Sequence, residues 1–204
     1  MQFTTKIKRR IIKSGLFALM ALPAVWLGWQ LSLALAQLPN DLTVNPIEYS
    51  NRFLGDWALR YLFLSLAITP LCDWFGTRAF MPYRRMVGLF AFFMVLLHVS
   101  SYVILDHYFN WAEIWGDILK RNFITLGFIS VLGLLPLALT STGGMVKRMG
   151  AKKWKALHRL VYPVAILALI HYVMMVRGNQ TEPKIYVAVL SLLLGWRIWK
   201  WFKK

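Results

Sequence analysis

The sequence predicts an all-α membrane bundle of about six transmembrane helices, with both termini on the cytoplasmic side. Three observations predict it. Hydrophobic residues make up 58% of the 204 and charged residues only 16%, against roughly 45–50% and about 25% in ordinary soluble domains. Apolar stretches close to the roughly 20 residues that cross a bilayer recur along the whole chain, and the mean hydropathy is +0.53. Lysines and arginines then collect in alternate connecting segments. Together these leave one membrane domain over residues 1–204 and no room for a separate soluble one.

The first span, 14–36, opens a stretch without charge that follows Lys6, Lys8, Arg9, Arg10 and Lys13. Ala34-Leu35-Ala36 resembles a signal-peptide cleavage site, but a signal core is usually about 7–15 residues, so a retained helix is expected. The second span, 55–72, carries Asp56, Arg60 and Pro70. Proline is tolerated in a membrane helix where neighbours satisfy the carbonyl it frees. The third, 86–105, holds His98. The segment 106–121 mixes charge with Tyr108, Phe109, Trp111 and Trp115, which predicts a short helix lying in the interface. The fourth span, 123–142, contains Pro136. The fifth, 157–176, contains His158, Pro163 and His171, and the sixth, 185–202, ends among Trp196, Trp199 and Trp201.

Orientation follows from the cations. With the N-terminus inside, segments 1–13, 73–85, 143–159 and 197–204 carry 18 Lys and Arg, against six outside (Arg52, Arg60, Lys120, Arg121, Arg177 and Lys184). Seven of the eight acids lie outside, all but Asp73. The net charge of +16 is thereby a signal of topology beside a lipid bilayer, and nucleic acid is not the expected partner although basic chains often seek phosphates. Cys72 is the only cysteine. A c-type haem attachment needs C-x-x-C-H, so any haem here is held without covalent bonds.

Ionisable groups inside a bilayer are costly and mark functional positions. His98 and His171 each lie roughly 18–21 Å from the cytoplasmic end of their spans at the helical rise. Two histidines at one depth on two helices can clamp a planar cofactor, because neutral imidazole is a common metal ligand and helical bundles build such sites from facing side chains. The alternative is a polar contact between helices, or a transporter or channel relaying protons through its histidines. His158 stands 13 residues before His171, roughly 20 Å nearer the cytoplasm, so it belongs to a second, stacked site or to none. His107, beside Asp106 in an outer loop, is expected to be exposed.

Arg84-Arg85-Met86-Val87-Gly88-Leu89 is followed by His98-x-x-Ser101-Tyr102, by Trp154-x-x-Leu157-His158-x-x-Val161-Tyr162 and by Ile170-His171-Tyr172. With Ile68-Thr69-Pro70-Leu71 and Leu139-Thr140-Ser141-Thr142, this ordered set resembles the MsrQ family of the ferric-reductase-like transmembrane superfamily, from the second span to the sixth. The resemblance implies a multi-pass protein of the bacterial inner membrane that is an electron-transfer subunit, not the catalytic one. It would pass electrons from membrane quinol to a periplasmic, molybdopterin-containing methionine sulfoxide reductase. It implies haem b, one or two, with His98 and His171 as ligands in the outer half and His158 as the inner-side histidine. FMN is implied by the resemblance alone, since the sequence has no Gly-rich dinucleotide fingerprint. Superfamily members pair two histidines on each of two helices, whereas here Arg84 or Arg85 stands where the second inner one would be. Arginine stays protonated, so it is a poor iron ligand and a good partner for a haem propionate or a quinone headgroup, or else a plain positive-inside anchor.

Overall fold

The computed structural model describes residues 2–176, 178 and 181–203. Arg177 and Lys204, two of the cations counted above, lie outside the described residues. The described chain is helical throughout, with no strand. Five stretches are long and apolar enough to cross a membrane: Arg10–Leu35, Met81–Asp106, Asn122–Leu139, Ala151–Met175 and Thr181–Phe202.

The expected second span is not among them, because the helix that contains it carries Glu48, Arg52, Asp56, Arg60 and Asp73. It is part of α2 (Pro46–Trp74), which starts nine residues before the expected 55. Asn45 caps it by accepting from the Glu48 backbone N–H at 3.2 Å, Pro46 follows the cap and Glu48 sits in the first turn. Each of these favours a helix start, the last by complementing the dipole. Leu54, Ala58, Leu59, Tyr61, Leu62, Phe63 and Leu66 are all buried. A helix wrapped by other helices needs no uniformly apolar surface, so α2 can carry Asn51, Arg52, Asp56 and Arg60.

Around it, α1 (Gln2–Leu35) buries Met20 and Leu27, and Tyr61 donates to the Met20 carbonyl at 2.7 Å. Gln30, only 2% exposed, is satisfied by Asp41 through two hydrogen bonds of 2.9 Å. The helix α3 (Arg84–Ser100) packs along α2. It runs into a π-helical turn, Ser101–Asp106, of the kind that interrupts helices at functional sites. A short α4 (Trp111–Lys120) lies where the interfacial helix was expected, with Trp111, Trp115 and Leu119 exposed. Next, α5 (Asn122–Leu139) pairs with α8 (Val161–Met175), the second of the two closest helix pairings after α2 with α3. Between them come the short α6 (Gly143–Met149) and α7 (Ala151–Leu157), then one 3-10 turn, His158–Leu160. The tightened turn precedes Pro163, which has no N–H and crowds the carbonyl four residues back.

The last helix, α9 (Thr181–Phe202), closes the bundle through a half-buried cation. Pro70 cannot donate to the Leu66 carbonyl, and Arg197 does so instead at 2.8 Å. Arg197 also donates to the Tyr162 hydroxyl at 2.7 Å. Expected only as a cytoplasmic anchor, it is instead a bolt between α2, α8 and α9. At the same end Lys200 binds Asp73, and this hydrogen bond holds the Asp73 carboxyl below its usual range.

Candidate functional site

The two helix pairs bring His98 and His171 together, with ring centroids 6.3 Å apart and planes at 70°. His98 Nδ1 lies 2.9 Å from the Asn51 carbonyl of α2, and His171 Nδ1 lies 2.7 Å from the Phe123 carbonyl of α5. A carbonyl can only accept, so in each ring Nδ1 carries the proton and donates. Nε2 is then the deprotonated nitrogen, free to ligate, in the arrangement by which metal-binding histidines are oriented and made more basic. A metal–nitrogen bond of roughly 2.0–2.1 Å on either side of one ion would put two imidazole centroids about 6 Å apart. The observed spacing matches.

Each ring also rests on a glycine. A Cβ added to Gly55 would lie 3.3 Å from Cε1 and Nδ1 of His98. One added to Gly127 would lie 3.0 Å from the same atoms of His171. In each helix the glycine follows the accepting carbonyl by four residues: Asn51 and Gly55 in α2, Phe123 and Gly127 in α5. Side chains of a helix tilt toward its N-terminus, so residue i+4 normally shields the carbonyl of residue i. Glycine at that place leaves the carbonyl open to an incoming imidazole. None of these four residues was identified from the sequence. The available signal was an isolated glycine inside a helical pattern, and it points to a close approach without naming the partner.

His158 lies elsewhere. It lines a cavity of about 100 Å³ together with Arg84, Arg85, Ser65, Ser141 and Trp154. Its Nε2 is 3.1 Å from the Thr140 hydroxyl, and its ring stacks on Trp154 at 3.9 Å. Trp154 in turn donates to the Thr140 carbonyl at 2.9 Å. Because α3 carries Arg84 to this cavity and His98 to the other site, while α8 and the turn before it carry His171 and His158 likewise, the two helices run in the same direction. The two sites are therefore stacked along the bundle.

One expectation is overturned. His107 is not exposed: its side chain is only 10% accessible. Its ring packs 4.4 Å from Tyr102 and faces Glu113 and Asp117, each at 3.6 Å. The π-helical turn and the left-handed Tyr108 and Phe109 that follow it fold the loop back, which spacing along the sequence could not show. Tyr102, one turn beyond His98, donates to Asp117 at 3.1 Å.

This arrangement can be set beside known proteins. Residues 54–169 match the model of the ferric reductase like transmembrane component family. The chain is 47% identical to a protein of Rhodospirillum rubrum over 95% of its own length and 90% of the relative's. The chain belongs to the MsrQ family. A Caulobacter vibrioides relative is 44% identical over 87% of this chain and 82% of its own. One of Xanthomonas campestris is 40% identical over 92% and 86%. All three bear the name protein-methionine-sulfoxide reductase heme-binding subunit MsrQ. The family match runs from within α2 to within α8; it includes His98 and the cavity beside His158, and it ends two residues before His171.

Proposed function

We propose that this chain is the haem b electron-transfer subunit of a protein-methionine-sulfoxide reductase system. In this reading it takes electrons from membrane quinol and delivers them to a periplasmic, molybdopterin-containing catalytic subunit. The protein then lies in the bacterial inner membrane as a single domain, with α2 as a sixth span and both termini cytoplasmic. The observation that carries the reading is the pair of histidines, each tied at Nδ1 to a backbone carbonyl and spaced for one ion between them.

Those residues fit a haem better than a bare ion. Among the described residues no group of three or more His, Cys, Asp or Glu is placed to hold a metal, and a closed protein site usually needs four ligands. Two opposed imidazoles suffice when a macrocycle brings the other four nitrogens. When bound, b-type haem supplies a one-electron iron couple. His98 and His171 would hold the iron through Nε2, and the surrounding apolar side chains would keep water from it.

The inner cavity, of about 100 Å³, brings one histidine and two arginines together, and arginine is a poor iron ligand because it stays protonated. We propose that Arg84 and Arg85 meet a hydrogen-bond-accepting group near the cytoplasmic side, whether a haem propionate, a quinone headgroup or the phosphate of FMN. His158, fixed by Thr140 and Trp154, is placed to take a proton there. His158→Ala is expected to leave haem content at the wild-type level and to slow reduction by a quinol analogue about a hundredfold, the low end of the usual range for a positioned acid–base group. Stopped-flow reduction of the purified protein checks it, and an unchanged rate would make His158 a bystander.

The experiment that tests the reading as a whole is purification of the full chain followed by addition of quinol. A coloured protein whose haem is reduced supports it. A colourless protein favours a transporter that uses its histidines to relay protons.

A further inference from the structure

The repeated unit of carbonyl, glycine and imidazole carries an inference beyond haem binding itself, and it rests on the haem reading above. We propose that Gly55 and Gly127 are positioning residues, which seat His98 and His171 against α2 and α5 so that their planes stand nearly perpendicular and thereby set the electronic state of the iron. The 70° between the rings is the geometric core of this inference.

Each ring has two constraints. The first is its Nδ1–H bond to Asn51 or Phe123, at 2.9 and 2.7 Å. The second is contact with the helix backbone where the glycine has no side chain. A single hydrogen bond leaves a ring free to swing about that bond, and the flat helix surface at the glycine removes the swing. The same device occurs twice, on α2 for a ligand from α3 and on α5 for a ligand from α8. Each pair fixes the plane of its own ring, and the 70° between the rings follows from how the two pairs are packed together.

An added methyl group would press directly on the ring. At 3.3 Å for Gly55 and 3.0 Å for Gly127 it lies inside the optimal separation of roughly 3.5–4.0 Å between carbon atoms. The ring must yield by a few tenths of an ångström, tilting and lengthening its Nδ1–H bond. Two electronic consequences follow. Perpendicular axial imidazoles leave two iron d orbitals nearly equal in energy and give a highly anisotropic ferric signal with one large g value. Rings turned toward parallel separate those orbitals and give an ordinary rhombic signal. A weaker Nδ1–H bond also makes the imidazole less basic, which disfavours ferric iron and raises the midpoint potential.

The test uses the full chain carrying haem, with Gly55→Ala, Gly127→Ala and, as a control, Gly195→Ala, whose Cβ would meet nothing within 4 Å. Low-temperature electron paramagnetic resonance and an optical redox titration are recorded, and haem per protein is measured by pyridine haemochrome. The wild type is expected to show the large-g signal. Gly195→Ala should match it, while both other variants move the signal toward the rhombic form and raise the potential, Gly127→Ala more than Gly55→Ala. If Gly127→Ala does not assemble, Gly55→Ala with its milder contact decides alone. Unchanged signal and potential per haem overturn the proposal, whether or not haem content falls, because loss of haem alone would mean packing only. A wild-type rhombic signal also overturns it. A wild type without haem instead overturns the haem reading, and this inference falls with it.

Discussion

His98→Ala and His171→Ala are each expected to abolish the same haem, leaving less than about a tenth of the wild-type content. Either change removes one of two axial bonds, and each axial histidine is the only bond from its helix pair to the iron. The two losses should not add: the double variant should resemble either single one, as residues acting as a unit behave. Pyridine haemochrome quantitation on the three purified variants checks this. A single variant that retained full, low-spin haem would break the pairing. His107→Ala serves as a comparison, since the His107 ring faces Glu113 and Asp117 and not the other histidines, and should keep its haem.

The second large effect is expected at Gly133, where α5 and α8 come closest. A Cβ there would lie 2.4 Å from Cγ2 of Val164, a residue only 4% exposed. Val164 is β-branched and stiff at χ1 in a helix, so the overlap is expected to be relieved mainly by a shift of one helix. Overpacking of this kind costs roughly 1–3 kcal/mol. The pair it spreads is the one that holds His171 against Phe123, so haem retention should fall with stability. Gly133→Ala is expected to lower the temperature at which haem is released from detergent-purified protein, and to lower haem content at purification. Val164→Ala in the same chain removes the offending methyl and should restore most of the loss. Such a rescue is a coupling between contacting residues that distant pairs do not show. A double variant no better than the single one would locate the damage elsewhere.

Much of this architecture was legible in the sequence because hydrophobic length and histidine depth are one-dimensional quantities. The spans at 14–36, 86–105, 123–142, 157–176 and 185–202 correspond to helices that satisfy length and apolarity. The second span was harder, since its first turns, with Glu48, Ser50, Asn51 and Arg52, are polar and it is sheltered by other helices. The cap at Asn45-Pro46 was nevertheless present as a signal. Asn51 sits on that unanticipated stretch, so its carbonyl could not have been assigned to His98. Backbone groups carry no residue identity, which is why Asn51, Phe123, Gly55 and Gly127 escaped notice while the histidines they hold did not. His107 was misplaced because it looks like a boundary residue by position, and only the folded-back loop draws it inward. The contacts of Arg197 were not foreseen because they depend on the carbonyl freed by Pro70.

The most direct measurement on the central claim is haem stoichiometry and ligation in the purified full chain. Pyridine haemochrome should give at least one b-type haem per chain, and near-infrared magnetic circular dichroism should show two nitrogen axial ligands. Addition of a quinol analogue should then reduce that haem. A protein that purifies without haem, or with a haem whose axial ligands are not both histidine, would contradict the account.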